Sequence, residues 1–301
     1  MPVGQVILIT GGEAISPAGF WEIPMDNKED RKQPGNRELK SIKDFAKTLA
    51  REVGEIQRRH LGQPSQVEYK GAVDLVTQVD RLCEEVIIGR ISERFPHHNI
   101  VAEEREHLQT GSAFRWYVDP LDGTTNYVHR YPCFSVSIGL EVRGEIVLGV
   151  VYDPMRDEIF CGIKGGGACL NDRKIGVSKT QDLDHSLLAT GFPYDIRESQ
   201  ENNIASFTSF ALVSQGVRRD GSAALDLCYV AMGRFDGFWE MKLCPWDLAA
   251  GILMVREAGG RVSDFRDGHF RIGSGEVLAT NGFIHGQMVS VLSRRRVQKG
   301  S

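Results

Sequence analysis

The sequence lacks the features that mark several large classes of protein. No apolar run approaches the roughly 20 residues that a membrane-spanning helix needs. Its six cysteines form no C-x-x-C pair, so we expect reduced, buried thiols in a cytoplasmic protein and no disulfide framework. The net charge is only -4, so binding of nucleic acid is not expected. No basic stretch precedes the apolar "QVILIT" near the start, and a secretory signal is not expected either.

The composition is that of an ordinary globular protein. The 301 residues are 41% hydrophobic and 25% charged, enough for one large domain or two closely packed subdomains. Residues 1–36 combine glycine, proline and charge without periodicity, and we interpret them as a flexible extension. We expect an N-terminal α+β subdomain over 37–180 and a C-terminal α/β subdomain over 181–296.

Two amphipathic helices are predicted in the first half. Apolar residues at three- and four-residue steps indicate a helix from an N-cap at Asn36 to a stop near Gly62. A second helix is predicted over 79–95, with an inward face that includes Leu82 and Ile87. Short strands with turns between them follow up to residue 170, in the pattern of an antiparallel meander.

The second half alternates between strands and helices. Helices are predicted at about 199–214, 223–232 and 247–258, with a last one from about residue 284. Short strands stand between them, which is typical of a mixed α/β arrangement.

The stretch "DPLDGTT" carries two carboxylates at the end of a predicted strand. Asp119 and Asp122 stand on one turn, where they can share a hard cation such as Mg²⁺. Gly123 lets the backbone approach a ligand closely, and Thr124 offers an amide and a hydroxyl to a phosphate oxygen. The alternative is a plain turn in which aspartate caps its own backbone.

Three further segments place acids at the ends of predicted elements. "VAEE" carries Glu103, "DLVTQVD" carries Asp74 and Asp80, and "CPWD" carries Asp247. Taken alone, Asp247 reads as a helix cap and Asp74 as a turn residue. Four separate acidic termini in one chain favour a shared cation site over four independent turns.

These segments resemble the inositol monophosphatase family. "WYVDPLDGTTNYVH" and "PWDLAAGILMVREAGG" are similar to its two signatures, and "RRDGSAALDL" is similar to its bacterial members. The resemblance covers about 37–295. It implies an α/β fold of layered α+β type, the αβαβα sandwich of the inositol monophosphatase and fructose-1,6-bisphosphatase type. It also implies two to three Mg²⁺ ions as cofactors.

The resemblance assigns roles to the acidic residues. The implied metal ligands are Glu103, Asp119, the carbonyl of Leu121, Asp122 and Asp247. Asp119 would bridge two ions, and Glu103 would also act in catalysis. Thr124, supported by Asp80, would orient a metal-activated water. The amides of Gly123 and Thr124 would bind the phosphate.

The alcohol half of the substrate is assigned in the same way. The implied contacts are Asp122, Arg218, Gly221, Ser222, Ala223, Glu240 and Asp247. Ser222 reads equally well as a helix N-cap, and Arg218 as a solvated surface charge. The family usually has Gly-Glu-Glu followed by Ser or Thr, where this chain has Ala102 and then Arg105 around its two glutamates. Lys70 lies one residue off the family's spacing to Asp74.

The leading hypothesis is a Mg²⁺-dependent phosphatase that hydrolyses inositol 1-phosphate. The alternatives are fructose 1,6-bisphosphate, 3′-phosphoadenosine 5′-phosphate or histidinol phosphate as substrate, or a non-catalytic interaction protein on the same fold. Glu240 favours a neutral polyol, because a carboxylate there would repel a second phosphate. The resemblance also implies a homodimer and inhibition by lithium, with a small phosphate ester as the binding partner and no membrane association.

Overall fold

A computed structural model gives the fold and describes residues 34–63, 67–69, 75–105 and 110–297. The expectations for Lys70 and Asp74, and those for residues 1–33, lie outside the described residues. The helices are α1 Asn36–His60, α2 Gln78–Arg94, α3 Thr124–Val128, α4 Ile204–Ala211, α5 Ala223–Ala231, α6 Pro245–Glu257 and α7 His285–Val297. The strands are β1 Val67–Tyr69, β2 Leu75–Thr77, β3 Asn99–Ala102, β4 Phe114–Asp122, β5 Ser135–Val142, β6 Glu145–Asp153, β7 Glu158–Ile163, β8 Gly167–Leu170, β9 Arg173–Lys174, β10 Leu187–Thr190, β11 Gly216–Arg218, β12 Gly237–Met241, β13 Arg261–Ser263 and β14 Glu276–Thr280.

A seven-stranded sheet forms most of the first half. Its strands follow chain order from β3 to β9, and every neighbouring pair is antiparallel except β3 and β4. The predicted meander is therefore confirmed. Helices α1 and α2 cover one face, where residues such as Ile42, Ile87 and Trp116 form one apolar cluster.

A five-stranded sheet of order β11-β10-β12-β14-β13 forms the second half. Helices α5 and α6 pack between the two sheets, and their apolar side chains join both in a second cluster. A third cluster joins the other face of this sheet, through Leu188 and Trp239, to α4 and α7, through Phe210 and Met288. The layers run helix, sheet, helix, sheet, helix, which confirms the predicted αβαβα sandwich.

Three local expectations differ from the structure. Helix α1 is capped by Gly35 and not by Asn36. On α2, Leu82 is 40% exposed, because the carboxylates of Asp80 and Glu84 take the inner face that the apolar pattern assigned to it. Helix α4 begins at residue 204 and not near 199, because Asn203 has a left-handed backbone with φ of 70°.

The side chain of Asn203 explains that late start. It donates to Thr190 Oγ1 at 2.8 Å and to the Gly191 carbonyl at 2.7 Å, and it accepts from Trp239 Nε1 at 2.8 Å. These bonds tie the residue to the second sheet, so the helix starts only after it. Across the described part of the chain, no helix is both long and apolar enough to cross a membrane.

Candidate active site

The carboxyl end of β4 is a bulge that leads directly into α3. Its pairing with β5 shifts between Asp119 and Asp122, so both carboxylates leave the regular ladder here. The Leu121 N–H donates to Asp119 Oδ1 at 2.9 Å, and Gln57 Nε2 donates to the Pro120 carbonyl at 2.8 Å. These bonds hold Asp119 in one orientation although it sits in an irregular turn.

Gly123 brings this turn against a second segment of the chain. Its φ is +100°, and a β-carbon would stand 2.9 Å from the Cys133 carbonyl oxygen and 3.2 Å from that of Gly221. Only glycine fits such a close approach without strain. Asn126 Nδ2 strengthens the junction by donating to the Asp220 carbonyl at 2.7 Å.

Thr124 starts α3 and connects the turn to α2. Its hydroxyl lies 2.9 Å from Asp80 Oδ1 and 3.2 Å from the Leu121 carbonyl. Asp80 is held in turn by the Thr77 N–H, which donates to Oδ2 at 2.9 Å within the capping box of α2. The structure thus brings Asp80 and Thr124 together as the resemblance implies.

Asp122 is bound by the first turn of α5. Ser222 Oγ donates to Oδ2 at 2.5 Å, and the N–H of Ala224 donates to the same oxygen at 2.9 Å. Ser135 Oγ and the Ala223 N–H contribute longer bonds of 3.3 Å each. Ser222 is also the N-cap of α5, since its Oγ accepts from the Leu225 N–H, so the helix-cap interpretation of Ser222 is confirmed.

Two more elements deliver the remaining acids. Asp247 lies in the first turn of α6, where its Oδ2 accepts from the Cys244 N–H at 2.7 Å. Glu103 directly follows β3. The next residue, Glu104, is fixed by a bond of 2.8 Å from its N–H to Glu84 Oε1 on α2. Glu103, Asp119, Asp122 and Asp247 are called the acid cluster below.

The acid cluster lines a cavity of about 500 Å³ between the two halves of the molecule. The predicted site residues that line it are Glu103, Asp119, Leu121, Asp122, Gly123, Thr124, Gly221, Ser222, Ala223, Glu240 and Asp247. Asp80 lies behind Thr124 and Arg218 lies outside the lining. A hollow of about 530 Å³ on α1 and α2 contains none of the predicted residues.

Each ionised carboxylate of the acid cluster makes ionisation of its neighbours less favourable. Burial raises the pKa of Asp119 well above its usual range, and the charges of Glu103, Asp122 and Asp247 raise it further. Burial likewise raises the pKa of Asp247, and the negative charge of Asp122 raises it further. For Asp122 the effect of burial is partly offset by the bond from Ser222. The cluster is therefore a region of strong negative potential that a cation would stabilise.

The second half of the molecule supplies the rest of the lining. These residues lie at 190–195, 219–226 and 240–243, and we call them the C-terminal wall. Burial raises the pKa of Glu240 to about 8, against the opposing effect of Arg219. A β-carbon on Gly191 would overlap the Glu240 carboxylate, so this position needs glycine. Asp226 is buried in the same wall, and burial raises its pKa well above the usual range.

The arginine that lines the C-terminal wall is Arg219 and not the expected Arg218. Both arginines are exposed, but Arg218 ends strand β11 outside the cavity lining and donates to the adjacent Val217 carbonyl at 3.3 Å. Successive residues of an extended chain point to opposite sides, so only one of the two arginines can face the cavity. The sequence analysis also missed Asp226 and Gly191. In the sequence, the one sign of a role for Asp226 is that it is the only charged residue of the stretch "GSAALD".

Comparisons with known proteins agree with this fold. A sequence profile of the inositol monophosphatase family matches residues 38–297. The "Inositol-1-monophosphatase" of Synechocystis sp. is 49% identical over 234 residues, which are 77% of this chain and 82% of that protein. The "Nus factor SuhB" of Escherichia coli is 45% identical over 241 residues, which are 79% of this chain and 90% of the relative.

Solved structures show the same likeness. The inositol monophosphatase of Anabaena (Nostoc) sp. is 44% identical, with a TM-score of 0.79 over 85% of this chain and 96% of the other. SaIMPase-II bound to inositol monophosphate is 27% identical, with a TM-score of 0.73 over 86% of this chain and 96% of the other. Fold and site define a layered phosphatase with an acidic active centre. The chain belongs to the inositol monophosphatase family and is a phosphoric monoester hydrolase.

Proposed function

We propose that the protein hydrolyses inositol 1-phosphate to inositol and phosphate, with Mg²⁺ as cofactor. The observation that carries this proposal is the meeting of the acid cluster with Gly123 and Thr124 in one cavity. Four carboxylates from three separate parts of the chain line the space in which a phosphate could also contact the α3 turn. Relatives named as inositol monophosphatases support the choice of substrate.

The donor chemistry of the acid cluster fits Mg²⁺. Its ligands would be carboxylate oxygens and the Leu121 carbonyl, the hard donors that this ion prefers. Among the described residues, no three His, Cys, Asp or Glu side chains are grouped closely enough to hold one ion by themselves. Mg²⁺ usually keeps several waters, so one or two carboxylates for each ion, together with substrate oxygens, fit this open arrangement.

When bound, divalent cations neutralise the phosphate dianion, lower the pKa of water and stabilise the leaving oxygen. Glu103, Asp119, Asp122 and Asp247 would hold them. The high pKa values of Asp119 and Asp247 in the metal-free chain support this assignment, because bound cations would relieve the repulsion that raises them.

Thr124 would orient the attacking water. A hydroxyl has one proton to donate, and Asp80 Oδ1 is the nearer of its two acceptors, at 2.9 Å. The oxygen of Thr124 then accepts from a water and directs the water's lone pair toward phosphorus. Asp80 acts through Thr124, since it does not line the cavity. The amides of Gly123 and Thr124 would bind phosphate oxygens.

The C-terminal wall would hold the alcohol. Glu240 would accept hydrogen bonds from hydroxyl groups, and the backbone at Gly221 and Ser222 would line the ring. The Ala223 N–H and the Ser222 hydroxyl already donate to Asp122, so their contribution is to shape the wall rather than to donate to the substrate. Arg219 takes the place that the resemblance gave to Arg218.

The intact acid cluster favours an enzyme over a pure interaction protein. A chain that kept only a binding surface would have no need for four carboxylates around one cavity, two of them buried. The division at residue 180, the homodimer, the cytoplasmic location and inhibition by lithium stay predictions.

The test is phosphate release by the purified protein from inositol 1-phosphate, with Mg²⁺ and with a chelator. Fructose 1,6-bisphosphate, 3′-phosphoadenosine 5′-phosphate and histidinol phosphate form the comparison panel. We expect the highest kcat/KM for inositol 1-phosphate and no release with the chelator. A higher kcat/KM for another ester would refute the substrate, and release in the chelator would refute the metal.

A further inference from the structure

Asp226 is a buried carboxyl group without a hydrogen-bond partner in the C-terminal wall. Its side chain is 1% exposed, and neither oxygen has a partner within the described part of the chain. Other buried aspartates of this protein are well satisfied. Asp153 accepts from two backbone N–H groups at 2.8 and 3.0 Å, and Asp236 accepts from the Leu187 N–H at 2.7 Å. Asp226 is therefore an exception within its own fold.

Helix capping does not explain the position of Asp226. It lies in the first turn of α5, where an acid normally binds backbone N–H groups. Here those donors are already used, because the first two amides of α5 donate to Asp122 and the third donates to the Ser222 hydroxyl. The N–H of Asp226 itself donates to the Ser222 carbonyl at 3.0 Å. The carboxyl group thus receives nothing from its own helix.

Burial of an unpartnered carboxyl group destabilises the folded chain. A buried polar group that lacks a partner in the protein, yet lines a cavity, indicates that the partner comes from outside. The cavity lining includes Asp226, and its charge interacts with those of Glu240 and Arg219 in the same wall. A carboxyl group can bond a hydroxyl in either protonation state, as acceptor when ionised and as donor and acceptor when neutral.

We infer that Asp226 is a specificity-determining residue that binds a hydroxyl group of the leaving alcohol, next to the one bound by Glu240. This inference rests on the proposed function and extends it. Two neighbouring carboxyl groups from different elements, α5 and β12, would bind two hydroxyls of one polyol. An ester whose alcohol carries no hydroxyl would gain nothing from Asp226.

The test compares inositol 1-phosphate with phenyl phosphate, whose alcohol has no further hydroxyl. For Asp226→Ala we expect KM for inositol 1-phosphate to rise about tenfold, the loss of one hydrogen bond, with kcat/KM for phenyl phosphate within about twofold of wild type. Asp226→Asn keeps a donor and an acceptor and should recover most of the loss. The Tm of Asp226→Ala should equal or exceed that of wild type, since no bond of the fold is removed.

Asp236→Asn is the matched control, a buried aspartate outside the cavity whose oxygens are bonded. It should lower Tm and leave KM unchanged. An equal loss of kcat/KM for both esters in Asp226→Ala, or a fall in Tm like that of the control, would overturn the inference. Unchanged KM in an active enzyme would overturn it as well. No release from inositol 1-phosphate by wild type would instead refute the proposed function, and the inference with it.

Discussion

The acid cluster and the C-terminal wall line one cavity but differ in how much of each comes from a single run of the chain. Half of the cluster comes from a single bulge of β4, and the adjoining Gly123 and Thr124 follow in the same segment. The C-terminal wall is assembled from three segments that are far apart in the chain. The comparison teaches that half of the acid cluster and the phosphate-binding turn are encoded in one local run, whereas Glu103, Asp247 and the choice of alcohol depend on how distant elements meet.

The strongest test of this division removes the centre of the acid cluster. Asp119→Asn should reduce kcat for every phosphate ester by at least about a thousandfold, because the bridging negative charge is lost while the shape is kept. Phosphate release and Mg²⁺ binding by calorimetry measure both effects. The exposed Asp184→Asn is the matched control and should behave as wild type. Near-normal turnover by Asp119→Asn would contradict the assignment of the cluster.

A smaller loss is expected when the water-orienting group is removed. Thr124→Val should lower kcat about a hundredfold with little change in KM, since it deletes the hydroxyl that links Asp80 to the cavity. Thr124→Ser should recover most of the rate. Thr208→Val on α4 makes the same change at an exposed threonine and should leave kcat intact. If kcat falls equally for both valine variants, the hydroxyl of Thr124 has no special role.

The same division explains what the sequence could predict. The run from Asp119 to Thr124 places two carboxylates and a phosphate-binding turn within six residues, so its pattern together with the other acidic termini led to the prediction of a cation site, which stays a prediction. Strand alternation and helical periodicity predicted the antiparallel meander and the mixed α/β half, whereas the layered sandwich was implied by the resemblance to the family. Leu82 was misplaced because two carboxylates took the inner face of α2, which no apolar pattern can show.

The residues that sequence reasoning missed depend on contacts across the fold. Arg219 and Arg218 are neighbours of one type, and only the end of β11 decides which one faces the cavity. The need for glycine at 191 appears only when the Glu240 carboxylate is seen against it. Asn203 delays the start of α4 by bonds to the second sheet, and these too connect distant positions.

A test of the C-terminal wall should therefore change selectivity more than chemistry. Gly191→Ala puts a methyl group where the Glu240 carboxylate lies and should raise KM for inositol 1-phosphate about tenfold. Turnover of phenyl phosphate should stay within about twofold, since the acid cluster is untouched. Gly89→Ala is the matched control, because its β-carbon would enter open space on α2, and it should raise stability by about 0.5–1 kcal/mol. An equal loss of kcat/KM for both esters would show that the C-terminal wall cannot be changed without also changing the acid cluster.

The smallest effect concerns the pH dependence of stability in the metal-free protein. The folded pKa of Glu240 is about 8, above its ordinary value of 4.5, because the carboxyl is buried. Between these pH values the folded chain holds a proton that the unfolded chain has released, so stability falls as pH rises. Glu240→Gln should remove up to about 1.4 kcal/mol per pH unit from that slope between pH 5.5 and 7.5.

Urea unfolding with a chelator at several pH values measures the two slopes. The raised pKa of Asp119 acts on wild type and Glu240→Gln alike, so it cancels in the difference. The charge of Glu240 contributes to the raised pKa values of Asp247 and Asp226, so Glu240→Gln removes that contribution as well. Added Mg²⁺ should then flatten the slope that both proteins share, because cations at the acid cluster favour its ionised carboxylates. Most of the difference between the two proteins should remain, because burial is the main cause of the raised pKa of Glu240 and the charge of Asp122 is a lesser one. If Mg²⁺ removes the whole difference in slope between wild type and Glu240→Gln, Glu240 belongs electrostatically to the acid cluster. The acid cluster and the C-terminal wall then titrate as one site.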